Sequence, residues 1–138
     1  MISRTEVIAE ARRWIGTPYQ HQARCLGAGV DCGGLVLEVA RALDVFHAEY
    51  SDYGQLPHKG LIRALCDRHL ERIDEAEPGC VLLIAFLPGP GQEQHLAIMT
   101  DTGTIVHAYA NVGACVEHRY SKAWQARVRQ FYRYPGVV

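Results

Sequence analysis

Apolar residues recur at helical spacing in three stretches of the N-terminal half. Over 4–15, Val7, Ile8, Ala11 and Trp14/Ile15 share one face, which predicts an amphipathic helix. Ser3 and Glu6 stand at capping-box spacing before it, and Gly16-Thr17-Pro18 stops it. Residues 20–31 hold two glycines and no period, so they read as a loop. From Cys32, the residues Leu35/Val36, Val39 and Leu43 predict a second helix over 32–43. Tyr50 to Pro57 reads as irregular, and a third helix is expected over 60–70 with Leu61, Ala64, Leu65 and His69 on one side.

Past Pro78-Gly79 the pattern changes. Cys80 to Leu87 is apolar throughout and bounded by Gly and Pro, which suits a central strand buried on both faces. Pro88 to Gln92 is a loop. Two further strands are expected over 95–100 and 104–109, joined by Asp101-Thr102-Gly103 with Gly103 in the left-handed region. Residues 115–119 and 127–134 supply two more strands, with a helical turn at 121–125. Helices first and strands after make an α+β plan with an antiparallel sheet.

Composition narrows the function classes. The 138 residues fit one domain with one core, over 1–138. Hydrophobic residues at 49% and charged residues at 21% exclude a disordered chain. A net charge of −1 lacks the basic excess expected of a nucleic-acid binder. The longest apolar run, Cys80 to Leu87, is too short to span a bilayer. The start MISRTEVIAEARRW lacks a basic segment followed by an apolar block, so no secretory signal is expected. The five cysteines are odd in number and lack C-x-x-C spacing, which argues for reduced thiols and against a zinc ribbon. Cys66 and Cys80 sit inside apolar patterns and read as small hydrophobes.

Cys32 stands apart. It follows Asp31, precedes Gly33-Gly34 and falls in the first turn of the second predicted helix, where unpaired N–H groups and the helix dipole favour a thiolate. It reads equally as the first apolar contact of that helix. A thiol nucleophile needs a base, usually histidine. His21, His47, His58, His69 and His118 lie in polar or loop-like stretches and read as solvated surface. His95 and His107 lie in apolar strands. With 101–103 as the hairpin loop, Thr100 faces Thr104, Met99 faces Ile105, Ala97 faces His107 and His95 faces Tyr109. His95 and His107 then share a sheet face, diagonal to one another beside the small Ala97. Two buried histidines satisfied by backbone groups is the alternative.

Several segments line up together: WIGTPYQHQAR at 14–24, GVDCGGLV at 29–36, PGCVLLIAF at 78–86, HLAIM at 95–99 and IVHAY at 105–109. In this order the chain resembles the NlpC-type cell-wall cysteine peptidases, papain-like α+β enzymes that cut the peptide stems of bacterial peptidoglycan. The resemblance covers about 4–134, and it implies N-terminal helices packed on a C-terminal antiparallel sheet. The compact size and G-T-P-Y-x-H-Q-A at 16–23 look most like the branch found in phage tails and gene-transfer particles.

The resemblance implies Cys32 as nucleophile, His95 as general base and His107 as the third, polar residue that orients the imidazole. Tyr19 matches a tyrosine near the oxyanion and substrate site. Asp31 matches the acidic residue before the nucleophile, which binds substrate or caps the helix. Gly33 stands where the family commonly has Ser, and Gly79-Cys80 where it commonly has Gly-Asp. The implied reaction is hydrolysis of a stem peptide at the γ-D-glutamyl–diamino acid bond, with no cofactor and no metal. Implied partners are peptidoglycan and phage-like tail proteins, without direct nucleic acid or membrane insertion. The expected location is a virion's distal tail after synthesis in the host cytoplasm. Competing readings are an amidase, deamidase or acyltransferase using the same residues, a structural or adaptor tail subunit, and a metal site built from Cys32, His95 and His107.

Overall fold

The capping box at Ser3 forms as its spacing requires: Glu6 N–H donates to Ser3 Oγ at 3.1 Å, and Ser3 N–H donates to Glu6 Oε2 at 2.7 Å. The computed structural model describes residues 1–48 and 60–138, so the irregular stretch expected at Tyr50–Pro57 lies outside the described residues. Helix α1 spans Arg4–Arg12 and is shorter than expected. Its last turn tightens into i→i+3 bonds from Trp14 N–H to Ala11 and from Ile15 N–H to Arg12. Trp14 is buried, but Ile15 faces solvent.

The chain then leaves for the sheet. Gly16 takes a φ of +91°, and its N–H donates to Cys115 O at 2.9 Å. Residues 16–20 run between two partners. Cys115 N–H donates to Thr17 O and Tyr19 N–H to Gly113 O, while Val30 N–H donates to Pro18 O and Gln20 N–H to Val30 O. The segment expected to be a loop, 20–31, therefore holds a short hairpin, β1 (Arg24–Cys25) and β2 (Gly29–Val30). Its strands are too short to carry an alternating pattern, and their bonds come from distant residues.

Helix α2 spans Cys32–Ala42, and Cys32 to Ala40 are buried on every side. Glu38, 5% exposed, is reconciled to that setting by bidentate Arg24 and by Arg41. Asp31 caps the helix: Oδ1 accepts from Gly34 N–H at 2.7 Å, and Oδ2 accepts from Gln22 N–H at 2.6 Å. Helix α3 spans Leu61–His69. Its inward face is Ile62, Leu65, Cys66 and His69, so the expected face was off by one residue: Leu61 and Ala64 are exposed.

The remaining strands are β3 (Glu71–Ile73), β4 (Val81–Ala85), β5 (Glu93–Met99), β6 (Thr104–Tyr109), β7 (Ala114–Arg119) and β8 (Val128–Arg133), with helix α4 (Lys122–Gln125) before β8. They form one antiparallel sheet in the order β3-β8-β4-β5-β6-β7. The α+β plan is borne out, and β4 is central and buried on both faces as its composition requires. Strand β3 carries no apolar pattern and went unread. One sheet face, with Leu83, Leu96, Ile98 and Val106, packs on α1, α2 and α3. The other, with Leu82, Ile84, Ala97, Met99 and Ile105, is covered by Phe86, Trp124 and Phe131. Among the described residues no helix is long and apolar enough to cross a membrane.

Ion pairs fasten the layers. Arg12 of α1 donates from Nε and Nη2 to the Glu117 carboxylate of β7, each at 3.0 Å, and Arg133 of β8 holds Glu77. These guanidinium groups hold both carboxyls below the usual range. A carboxyl with a depressed folded pKa stabilises the fold above its unfolded value and loses that contribution as pH falls through the folded value. Thermal stability is accordingly expected to fall as pH drops below about 4. In Glu117→Gln the fall should be shallower and the neutral-pH stability lower; a melting curve with unchanged pH dependence in that variant would count against this account. Asp31→Ala removes a cap and the carboxylate acceptor of the Gln22 N–H, so an expected loss of about 2–3 kcal/mol should appear in chemical denaturation. Asp31→Asn, which keeps one acceptor oxygen, should lose less, and equal stability of Asp31→Ala and the parent would overturn the assignment.

Candidate active site

Cys32 is the first residue of α2, and its side chain is set into a seam of the sheet. The β5–β6 ladder pairs Met99 with Ile105 and Ile98 with Val106, as the hairpin register predicts, and then opens. The sulfur occupies the opening. Sγ lies 3.9 Å from the Gln94 carbonyl oxygen, and the Leu96 N–H faces it. The thiol thus meets both polar groups that β5 would otherwise offer to β6. It is 4% exposed. Burial and the adjacent Asp31 charge push its pKa up to about 12, outweighing the Leu96, Gly33 and Cys32 N–H groups that favour the anion. Burial thus opposes the thiolate that the helix N-terminus favours.

His95 and His107 meet. His95 Nε2 and His107 Nδ1 are 2.6 Å apart, with both residues buried. The register that puts Met99 opposite Ile105 brings this about, and Ala97 leaves the room between them. Burial pushes both imidazoles down from their ordinary value, so both are neutral at rest. With Nε2 committed to His107, Nδ1 is the nitrogen of His95 left for another partner. The rings sit in an aromatic enclosure. Phe86 lies 5.4 Å from His95 between centroids, Tyr109 stacks at 5.1 Å on His107, and Trp124 meets His107 edge-on at 5.1 Å. Arg127 lies over Trp124 and Phe86. Such a wall excludes water from the imidazole pair.

The other two predicted residues take different positions. Tyr19 lies half-buried in the 16–20 segment, held by its N–H to Gly113 O and by a bridge to Val30, two residues before Cys32. Asp31 is fully buried with both carboxylate oxygens on backbone donors, so it is the cap of α2 and the clamp of the 20–23 turn rather than a surface for substrate. The metal alternative finds no set of ligands: among the described residues no three His, Cys, Asp or Glu side chains are grouped to hold an ion.

One residue of the site escaped the sequence reading. His118 is not solvated surface but half-buried, with its Nε2 2.7 Å from His107 Nε2 and its Nδ1 3.0 Å from Arg119 O. The register logic that found His107 would have found it too. The Asn111-Val112-Gly113 turn pairs Tyr109 with Ala114 and hence Ile105 with His118, which sets His118 diagonal to His107.

Comparison with known proteins agrees with this architecture. The family model described as the NlpC/P60 family matches residues 16–133. Similar solved structures include an NlpC/P60 family protein from Bacillus cereus ATCC 10987, at 17% identity and TM-score 0.68 over 95% of this chain and 40% of that one. The NlpC/p60 domain of the peptidoglycan hydrolase SagA is 22% identical, with TM-score 0.63 over 94% of this chain and 97% of that domain. The peptidoglycan hydrolase RipB from Mycobacterium tuberculosis is 22% identical, with TM-score 0.60 over 94% of this chain and 63% of that one. The chain therefore spans well under half of the Bacillus protein and nearly all of the SagA domain. Among curated proteins the sequence has no significant match. With a family model matched along residues 16–133 and the corresponding fold around Cys32, the chain belongs to the NlpC/P60 family.

Proposed function

We propose that this protein is a cysteine peptidase that hydrolyses the stem peptides of bacterial peptidoglycan, with Cys32 as nucleophile, His95 as base and His107 as the residue that orients His95. The observation that carries the reading is the buried 2.6 Å bond between His95 and His107 on β5 and β6, with the Cys32 thiol set against the backbone of the same β5 strand at Gln94 O. A surface thiol or an isolated buried histidine would have no use for it. Family membership and the description of SagA and RipB as peptidoglycan hydrolases support the substrate class.

Burial of both the thiol and the imidazole favours general-base attack over a resting ion pair. The thiol turns from Gln94 O to His95 Nδ1, which takes its proton as the sulfur attacks the amide carbonyl. The Cys32 N–H, without an intrahelical partner at the first position of α2, and the Tyr19 hydroxyl receive the oxyanion. His95 then protonates the departing amine as the C–N bond breaks. It next takes a proton from water, which cleaves the thioester and restores the thiol. His107 keeps the ring aimed and supports the imidazolium, as the third member of a triad does.

The bond cut is, in this proposal, the γ-D-glutamyl–diamino acid link, and the setting is the distal end of a phage-like tail that opens the cell wall. The 16–23 stretch supports the tail setting by its resemblance to that branch. The free thiols agree with assembly in a reducing compartment.

Digestion of purified peptidoglycan, with products identified by mass spectrometry, is expected to yield stem fragments ending in the γ-glutamyl residue. Cys32→Ala and His95→Ala should abolish them, whereas His107→Ala should leave residual cleavage. Full cleavage by Cys32→Ala sinks the mechanism, and fragments cut elsewhere correct the bond. Proteomics of purified particles from a producing strain is expected to recover the chain, and particles without it would remove the tail setting.

A further inference from the structure

We infer that His118 is a positioning residue that sets the protonation pattern of the active-site imidazoles, so that the Arg119 carbonyl dictates, through three rings, which nitrogen of His95 is left without a hydrogen to act as a base. The inference rests on the reading of Cys32 and His95 given above and extends it beyond the third residue.

A carbonyl oxygen only accepts, so the 3.0 Å contact between His118 Nδ1 and Arg119 O places a hydrogen on Nδ1. In the neutral ring, Nε2 then carries a lone pair. The 2.7 Å contact to His107 Nε2 must be made by a hydrogen on His107 Nε2. His107 Nδ1 is left as an acceptor, so the 2.6 Å contact to His95 requires a hydrogen on His95 Nε2. His95 Nδ1 is thereby left unprotonated, as a general base for the thiol must be. Each ring has one assignment, and the only fixed end of the chain is the backbone oxygen.

Protonation reverses the chain. A hydrogen on His118 Nε2 turns that atom into a donor, and His107 must accept with Nε2 and donate from Nδ1. His95 then accepts with Nε2 and carries its hydrogen on Nδ1, the wrong tautomer for attack. His118 is the half-buried ring of the three, and the other two are buried. The groups facing His118 are few. His107 lies across the sheet. Trp124 of α4 packs at 5.2 Å, with the Arg127 guanidinium over that indole. Among the described residues no carboxylate pairs with His118, since Glu117 is turned to Arg12 and Thr104.

Alkylation of Cys32 by iodoacetamide tests this without any cell-wall substrate, with exposed Cys25 as the internal reference. The rate at Cys32, followed by peptide mass spectrometry against pH, is expected to show an acid limb. His118→Gln, whose amide oxygen still accepts from His107 but does not charge, should keep most of the plateau rate and move the acid limb to lower pH. His118→Phe, which fills the space without an acceptor, should lower the plateau about tenfold, with the Cys25 rate unchanged. Nitrogen NMR of the wild-type rings gives the answer even where Phe disturbs folding. At mildly alkaline pH, His95 is expected to hold its hydrogen on Nε2. A hydrogen on His95 Nδ1 there, or an acid limb and plateau unchanged in both variants, overturns the inference. Absent peptidoglycan cleavage alongside these expected results would instead fault the substrate assignment.

Discussion

A 2.6 Å hydrogen bond between two imidazoles, closed inside a sheet face, tolerates few arrangements of the chain around it. Both histidines must lie on one face, two residues of stagger apart, beside a side chain small enough to leave room. The tight 101–103 turn supplies the stagger, with Gly103 at a φ of +75°, and Ala97 supplies the room. The enclosure by Phe86, Tyr109 and Trp124 then removes water, which strengthens the bond and keeps both rings neutral. A slip of one residue would send His95 and His107 to opposite faces and expose apolar side chains with them, so packing and chemistry select the same register.

The thiol faces two opposing influences. A helix N-terminus offers donors to an anion, while a site 4% exposed penalises one. Burial prevails here because the sulfur sits in the seam between β5 and β6, against Gln94 O and the Leu96 N–H, with the Asp31 carboxylate next to it. That seam exists only because α2 is driven into the sheet. Its nine buried residues from Cys32 to Ala40, the Tyr134 hydroxyl on Val36 O at 2.7 Å, and Arg24 on Glu38 leave the helix no other seat. The Asp31 carboxylate joins the start of the helix to the 20–23 turn, so the residues before Cys32 are tied to the first turn of α2.

Features governed by short-range rules were legible in the chain. The capping box, the start of α2, the central β4 and the β5–β6 register follow from caps, turns and two-residue alternation. So does the shared face of His95 and His107. What could not be read depended on distant partners. The β1–β2 hairpin is too short for alternation and is held by bonds between Val30 and the 18–20 segment. The last turn of α1 yields to the bond from Gly16 to Cys115. Strand β3 is polar and forms because β8 lies beside it. The inward face of α3 shifted by one residue because neighbouring candidate faces differ by little in apolar content, and the neighbours it packs on decide between them.

By itself, then, the sequence determined which residues are chemically able: a cysteine at a helix start, two histidines on one sheet face, and an order of elements typical of an NlpC/P60 chain. Periodicity, capping and turn chemistry act within a few residues, so they are written locally. The tertiary structure decided their states. It buried the thiol against β5, turned Asp31 from a possible substrate contact into a buried clamp, and brought His118 from an apparent surface position into line behind His107. Burial and proton placement depend on everything that surrounds an atom, and what surrounds these atoms is contributed by segments up to a hundred residues apart in the chain.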